Sequence, residues 1–194
     1  MRAVSLISTG IDSPVSSYLM MKKCDLTFLH FDRGNTDILM EILRTLKPQK
    51  SAKLTLVVAD HDELMSRLKE VDFPEKQTCV YCKASMLLFA ERVCMDFGCD
   101  IIITGDSLGQ VASQTLLNMK SEESLVSLPV IRPLIGLDKV EIVEIARRIG
   151  TYELSVKSND TCPYAPKHPV TRGCEIKEDV KNVVHSTEYR VLKV

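Results

Sequence analysis

Three stretches of the chain carry side chains of types and spacing suited to chemistry. In Ser8-Thr9-Gly10-Ile11-Asp12-Ser13, three hydroxyls, a glycine and a carboxylate fall within six residues. If this stretch ends a strand and opens a helix, unpaired N–H groups and the positive end of the helix dipole point at the turn, which suits an anionic phosphate. Neither the Gly-Lys-Ser/Thr of a Walker loop nor the spaced glycines of a dinucleotide fingerprint are present, and taken alone the stretch also reads as a capped turn. In Gly105-Asp106-Ser107-Leu108-Gly109-Gln110, two glycines let the backbone approach a ligand, and Gln110, Ser113 and Gln114 offer amide and hydroxyl groups at helical spacing. The plain alternative is a polar strand-to-helix turn. The third stretch is Cys79-x-x-Cys82, followed by Lys83. At a helix start the dipole lowers thiol pKa and favours thiolate. The pair reads equally as a redox dithiol, half a zinc site, or two packed cysteines, and Cys162 in Thr161-Cys162-Pro163 is a third candidate thiol.

The elements that must hold these groups alternate along the chain. Residues 3–7 form an apolar run that reads as a buried strand, and Ser13 followed by Pro14 reads as an N-cap and first helical residue. Further strands are expected at 25–31, ending in His30-Phe31, and at 53–59, 99–104 and 130–134. Helices are expected at 13–23, 36–46, 60–71, 79–97, 111–119, 138–149 and 175–185. Cys94 falls on the core stripe of its helix, and Asp138 with Glu141 forms a capping-box pattern closed by Gly150. Such alternation implies right-handed βαβ units: an α/β fold with a doubly wound, mostly parallel five-stranded sheet and helices on both faces. Ligands of such sheets bind beyond the carboxyl ends of the strands, where Ser8 to Ser13, His30-Phe31 and Gly105 to Gln110 would face one crevice.

Composition narrows the function classes. The 194 residues are 45% hydrophobic and 26% charged, enough for one core, so residues 1–194 are read as a single domain. No apolar run reaches a bilayer span, and the strand begins at residue 3 with no secretory pattern before it, so no membrane is expected and the location is read as cytoplasmic. A net charge of −1 with scattered basic residues does not supply the footprint of a self-sufficient nucleic-acid binder. Seven unevenly spaced cysteines argue against a disulfide framework and towards metal or sulfur chemistry.

The first stretch resembles the Ser-Gly-Gly-x-Asp-Ser pyrophosphate (PP) loop of the ATP pyrophosphatases, which cleave ATP between its α and β phosphates and leave an adenylated substrate; Thr9 departs from that pattern. A more specific resemblance lies in residues 105–115, followed by Ile131-Arg132-Pro133-Leu134-Ile135 and Asp138-Lys139. These are similar to the tRNA 4-thiouridine synthetase (tRNA sulfurtransferase) family, and the likeness runs from Val4 to about Arg172. It implies an adenine nucleotide alpha-hydrolase-like fold and an enzyme that uses Mg²⁺ and ATP to adenylate a uridine carbonyl oxygen and then insert sulfur. Carried over position by position, the ATP contacts are Leu6, Ile7, Ser8, Gly10, Asp12, Ser13, His30, Phe31, Lys83, Gly105, Gln110 and Gln114. Asp12 would position Mg²⁺, and Lys139 matches a lysine needed for activity.

The same resemblance bears on the cysteines. Cys162 stands where bacterial members hold the sulfur-transferring cysteine, while members from methanogenic archaea combine it with a Cys-x-x-Cys to hold an iron–sulfur cluster, here Cys79, Cys82 and Cys162. Zinc on the same three, with His168 or Cys174 as fourth ligand, is the alternative. Neither the RNA-binding region that precedes the catalytic strand in that family nor a rhodanese-like extension is recognisable in the 194 residues. The partners implied are tRNA, presented by a separate RNA-binding chain, a sulfur donor, and a second copy of the chain in a homodimer. Two other readings stay open: an ATP pyrophosphatase acting on a small molecule, and an ATP-binding module with a structural zinc.

Overall fold

The computed structural model describes residues 1–46, 54–109, 114–158 and 162–194. In chain order the elements are β1 (Arg2–Leu6), α1 (Asp12–Met21), β2 (Asp25–Asp32), α2 (Thr36–Leu46), β3 (Thr55–Asp60), α3 (His61–Leu68), α4 (Thr78–Phe97), β4 (Ile101–Ile103), α5 (Leu116–Glu122), β5 (Val130–Ile131), α6 (Lys139–Arg148), α7 (Tyr152–Lys157), α8 (Val180–Ser186) and β6 (Tyr189–Lys193). The sheet runs β5-β4-β1-β2-β3-β6, parallel except for β6, which pairs antiparallel to β3. β4, with three buried isoleucines, shows why central parallel strands read as unbroken apolar runs. One sheet face, with Val4, Leu29 and Val57, packs on α3, α4 and α8 through Leu64, Leu87 and Val180. The other packs Phe28 and Leu56 on α2 through Leu39 and Ile42, while Val15 of α1 meets Ile142 of α6.

The sheet therefore has six strands among the described residues, not five. The sixth was illegible because Tyr189–Lys193 is an edge strand half open to solvent, with Arg190 and Lys193 interrupting its apolar pattern. Short α7 was not expected, and the last helix is shorter than 175–185, although Ile176, Val180, Val183 and Val184 are buried as expected. The helix expected at 111–119 begins at Leu116, capped by Thr115, whose hydroxyl accepts from the Asn118 N–H; residues 111–113 lie outside the described residues. Gln114 thus precedes the helix and is not on its first turn.

Local geometry at α1 also departs from expectation. Ser13 is not the N-cap: the helix starts at Asp12 and its cap position, Ile11, makes no side-chain hydrogen bond. Ser13 Oγ turns back to the loop, accepting from the Ser8 N–H at 2.8 Å and lying 3.0 Å from Ser8 Oγ. Pro14 is tolerated because a first-turn N–H has no helical partner to lose. The chain reverses its winding direction at β1, between β2 and β4, so the turns after β1 and β4 flank the topological switch point. They are pressed together: a Cβ on Gly105 would fall 2.7 Å from Ser13 Cα and 2.8 Å from Ser13 N, so only glycine fits. Ser16 Oγ donates to the Thr104 carbonyl at 2.7 Å and ties the same two segments.

Candidate active site

A cavity of about 290 Å³ opens at this switch point. The end of β1 supplies Leu6 and Ile7, and the following turn supplies Ser8, Gly10, Asp12 and Ser13. His30 and Phe31 come from the end of β2, Lys83 from the second turn of α4, and Gly105 and Gln114 from the segment after β4. The described residues carried over as nucleotide contacts thus share one cavity, while Gln110 lies outside the described residues. Lys139, the first residue of α6, reaches Asp12 with Nζ 2.5 Å from Oδ1 at the rim. The Asp138 and Glu141 capping box fixes that helix start, so Lys139 is aimed by secondary structure and not by burial; its side chain is 49% exposed.

Charge in the cavity is organised by a residue not singled out from the sequence. Asp106 is 2% exposed and takes an ion pair from Lys83, another from Arg132 at 3.3 Å, and a hydrogen bond from Thr104 Oγ1 at 2.7 Å. Burial by itself would raise its carboxyl, but Lys83, Thr104 and Arg132 outweigh that and hold Asp106 below the ordinary carboxylate range. Burial likewise opposes the charge on Lys83, but Asp106 prevails and keeps it above the usual lysine value. Arg132 also pairs with Glu123. An acidic residue in the Gly-containing turn after a buried strand was the available signal for Asp106. Arg132 sits in a recognised block, but its partner is a tertiary fact.

His30 is a support and not a free ligand. Its Nδ1 lies 3.0 Å from the Ile7 carbonyl and its Nε2 2.9 Å from Asn35 Oδ1, with the ring 2% exposed. Burial pushes its imidazole below the ordinary histidine value. The ring therefore locks the ends of β1 and β2 in register beside the cavity.

The cysteines occupy a second cavity of about 250 Å³ that shares Ser8, His30, Phe31, Lys83 and Met86 with the first. Cys79 and Cys82 line it from the first turns of α4, and Cys162 from the loop between α7 and α8. All seven cysteines are free thiols. The expected thiolate character of the pair is not found: burial, with the neighbouring Cys162 and Cys79, pushes the Cys82 thiol up to about 12, and burial with Cys162 raises Cys79. Desolvation and neighbouring thiols outweigh the helix dipole here. Cys94 is buried and points at the Ile101 carbonyl, away from this cavity. Cys174 lines a separate groove, and neither it nor His168 is among the residues lining this cavity, so neither stands ready as a fourth zinc ligand. Among the described residues no three His, Cys, Asp or Glu side chains stand close enough to hold a single metal ion. A tetrahedral zinc would need its sulfurs about 3.8 Å apart, at Zn–S bonds of about 2.3 Å, whereas a cluster spreads its cysteines more widely.

Two further groups were missed. His61, first residue of α3 and 5% exposed, lines the cysteine cavity with Nε2 3.6 Å from Cys82 Sγ. Burial, helped by nearby Arg33, pushes its imidazole below the ordinary value. Glu122, 1% exposed, has Oε1 without a hydrogen-bond partner among the described residues, and burial pushes its carboxyl up to about 7. Neither has a sequence pattern that separates it from surface charge on a short helix.

Fold and site together define a doubly wound α/β protein with a crevice of mixed polar and apolar lining at the carboxyl ends of its parallel strands, at the switch point where such sheets bind ligands. The chain belongs to the family described as thiamine biosynthesis protein (ThiI), whose model matches residues 1–188. It is 45% identical over 179 residues to a probable tRNA sulfurtransferase of Thermococcus kodakarensis, covering 89% of this chain and 47% of that protein. A probable tRNA sulfurtransferase of Methanocaldococcus jannaschii is 41% identical over 194 residues, covering 94% of this chain and 50% of the relative. The crystal structure of a 4-thiouridine synthetase–RNA complex with bound ATP superposes with a TM-score of 0.86 at 34% identity, over 98% of this chain and 55% of that one. The chain thus spans about half the length of these relatives. Among the described residues no helix is long and apolar enough to cross a membrane.

Proposed function

We propose that this domain is the catalytic part of an ATP-dependent tRNA sulfurtransferase. The observation that carries the reading is the shared wall: the crevice holding the Ser8 to Ser13 turn and the cavity lined by Cys79, Cys82 and Cys162 have Ser8, His30, Phe31, Lys83 and Met86 in common. ATP fits the first cavity with its phosphates on the turn after β1, where Ser8, Gly10 and Ser13 offer hydroxyl and backbone donors. Asp12 would hold Mg²⁺, leaving Lys139 to meet phosphate charge, while Lys83, oriented by Asp106, stabilises charge that develops as pyrophosphate departs. A uridine carbonyl oxygen attacks the α-phosphorus, the bond to the bridging oxygen breaks, and pyrophosphate leaves an adenylated uridine. A sulfide-level nucleophile (HS⁻) then adds at the activated uridine carbon, and AMP leaves carrying the former carbonyl oxygen.

Cys79, Cys82 and Cys162 are the residues that would hold an iron–sulfur cluster, since all three line one cavity. When bound, the cluster would supply sulfur for the displacement. The scattered basic residues and net charge of −1 support tRNA being held largely by something other than these 194 residues; in this proposal that is a separate RNA-binding chain, and an external sulfur donor, a homodimer and a cytoplasmic location are its further parts. The family's description as a thiamine biosynthesis protein keeps a small-molecule acceptor as the second reading.

The test is anaerobic purification with iron and zinc analysis, followed by pyrophosphate release from Mg²⁺-ATP with and without tRNA, and 4-thiouridine measured in the digested RNA. Pyrophosphate release dependent on tRNA supports the proposal. ATP binding with no release under any acceptor, together with stoichiometric zinc, overturns it in favour of a binding module.

A further inference from the structure

His61 joins three parts of the cysteine cavity. Its ring sits at the start of α3, directly after β3, with Asp60 capping the helix by accepting from the Glu63 N–H at 2.9 Å. Nε2 lies 3.6 Å from Cys82 Sγ on α4. The other face of the ring meets Tyr164, two residues beyond Cys162, at a centroid distance of 5.6 Å, and the Tyr164 hydroxyl donates to Asp62 Oδ1 at 2.8 Å. The ring is 5% exposed, and Nδ1 has no hydrogen-bond partner among the described residues. A buried imidazole that serves the fold has both nitrogens satisfied, as His30 does. His61 instead spends its one polar contact on a sulfur and sits between the loop carrying Cys162 and the helix carrying the other two thiols.

We infer that His61 is a positioning residue for the cysteine centre: its Nε2–H donates to the Cys82 sulfur, and its ring seats the Cys162 loop over the Cys-x-x-Cys helix turn. A sulfur that ligates a metal does so as thiolate, and at the partly buried Cys82 that charge needs donors. No other hydrogen bond to Cys82 Sγ is found among the described residues, so His61 is the group that meets this need. A hydrogen bond to a ligating sulfur withdraws electron density from it, which raises the reduction potential of an iron–sulfur centre. This inference rests on the reading of Cys79, Cys82 and Cys162 as one centre.

The variants are His61→Leu, which keeps apolar volume and removes the donor, and His61→Gln, whose amide carries an N–H near the Nε2 position. In the metal-free reduced protein, iodoacetamide labelling followed by peptide mass spectrometry reads each thiol. His61→Leu is expected to slow labelling of Cys82 by about tenfold, the worth of one hydrogen bond to a charged group, with His61→Gln restoring most of it. In the anaerobically reconstituted protein, the reduction potential is expected to move to a more negative value in His61→Leu and back in His61→Gln. An unchanged Cys82 labelling rate in His61→Leu overturns the inference. So does a loss in both variants alike that follows only their melting temperatures, since that marks packing alone. If the parent protein takes up no cluster, the reading of the centre fails separately and the metal-free arm still decides whether His61 donates to Cys82.

Discussion

Gly105→Ala probes the contact on which the proposed nucleotide crevice depends. The added Cβ would lie 2.7 Å from Ser13 Cα, 2.8 Å from Ser13 N and 3.1 Å from the Asp12 carbonyl carbon, all backbone atoms. Ordinary carbon contacts lie at about 3.5–4.0 Å, so the turn after β1 and the one after β4 must separate by about 1 Å. No side chain can swing aside to absorb this. Overpacking of that kind costs about 1–3 kcal/mol, and at about 3 °C per kcal/mol for a domain of this size the melting temperature falls by about 3–9 °C. The same shift moves the donors of Ser8 and Ser13, and loss of one phosphate hydrogen bond worth about 1.5–3 kcal/mol weakens ATP binding about 10- to 100-fold. Thermal unfolding and isothermal titration with Mg²⁺-ATP read the two effects. Gly136→Ala is the control, because its Cβ would meet nothing within 4 Å, and it is expected to stay within about 0.5 kcal/mol of the parent. A Gly105→Ala protein with parental melting and parental ATP affinity would refute the reasoning.

Asp12→Ala and Lys139→Ala should each abolish pyrophosphate release while costing under about 1 kcal/mol of stability, since the pair they form is partly exposed; a large drop in denaturant midpoint would assign the pair to the fold instead. Asp106→Asn leaves Lys83 and Arg132 without their shared buried carboxylate, and a loss of about 3–5 kcal/mol in urea unfolding is expected, with parental stability counting against the ion-pair account. Glu122, raised to about 7 in the folded chain, binds more protons folded than unfolded between about pH 4.5 and 7, so its contribution to stability falls as pH rises through that window. Glu122→Gln should therefore gain on the parent between pH 5 and pH 8, by up to about 3 kcal/mol, and parallel pH profiles for the two proteins would rule this out.

Much of the site was legible because the chemistry it needs is local in sequence. A phosphate turn needs small residues, hydroxyls and a helix start within six positions, and residues 8–13 supply them side by side. The strands bearing the crevice were legible for a similar reason: a buried parallel strand such as Ile101–Ile103 is apolar at every position, and its shortness and β-branched residues separate it from a buried helix. The sixth strand escaped because an edge strand half open to water has no such pattern. The Cys-x-x-Cys was visible, but its ionisation was misjudged: the helix dipole is a local effect, whereas the burial that raises Cys82 to about 12 comes from elements distant in the chain.

What the sequence by itself determined is the alternation of elements, hence a parallel sheet with a switch point, and the identity of the groups delivered to its carboxyl end. What only the tertiary structure decided is how those groups are held and charged. Asp106 becomes the anchor of Arg132 because β4 and β5 are neighbours, and of Lys83 because α4 packs against β4. His61 meets Cys82 because β3 ends beside α4, and it meets Tyr164 because the Cys162 loop folds back onto α3. Each of these contacts joins residues more than twenty positions apart, where hydrophobic periodicity carries no information and only the packing of sheet, helices and loop sets the distance.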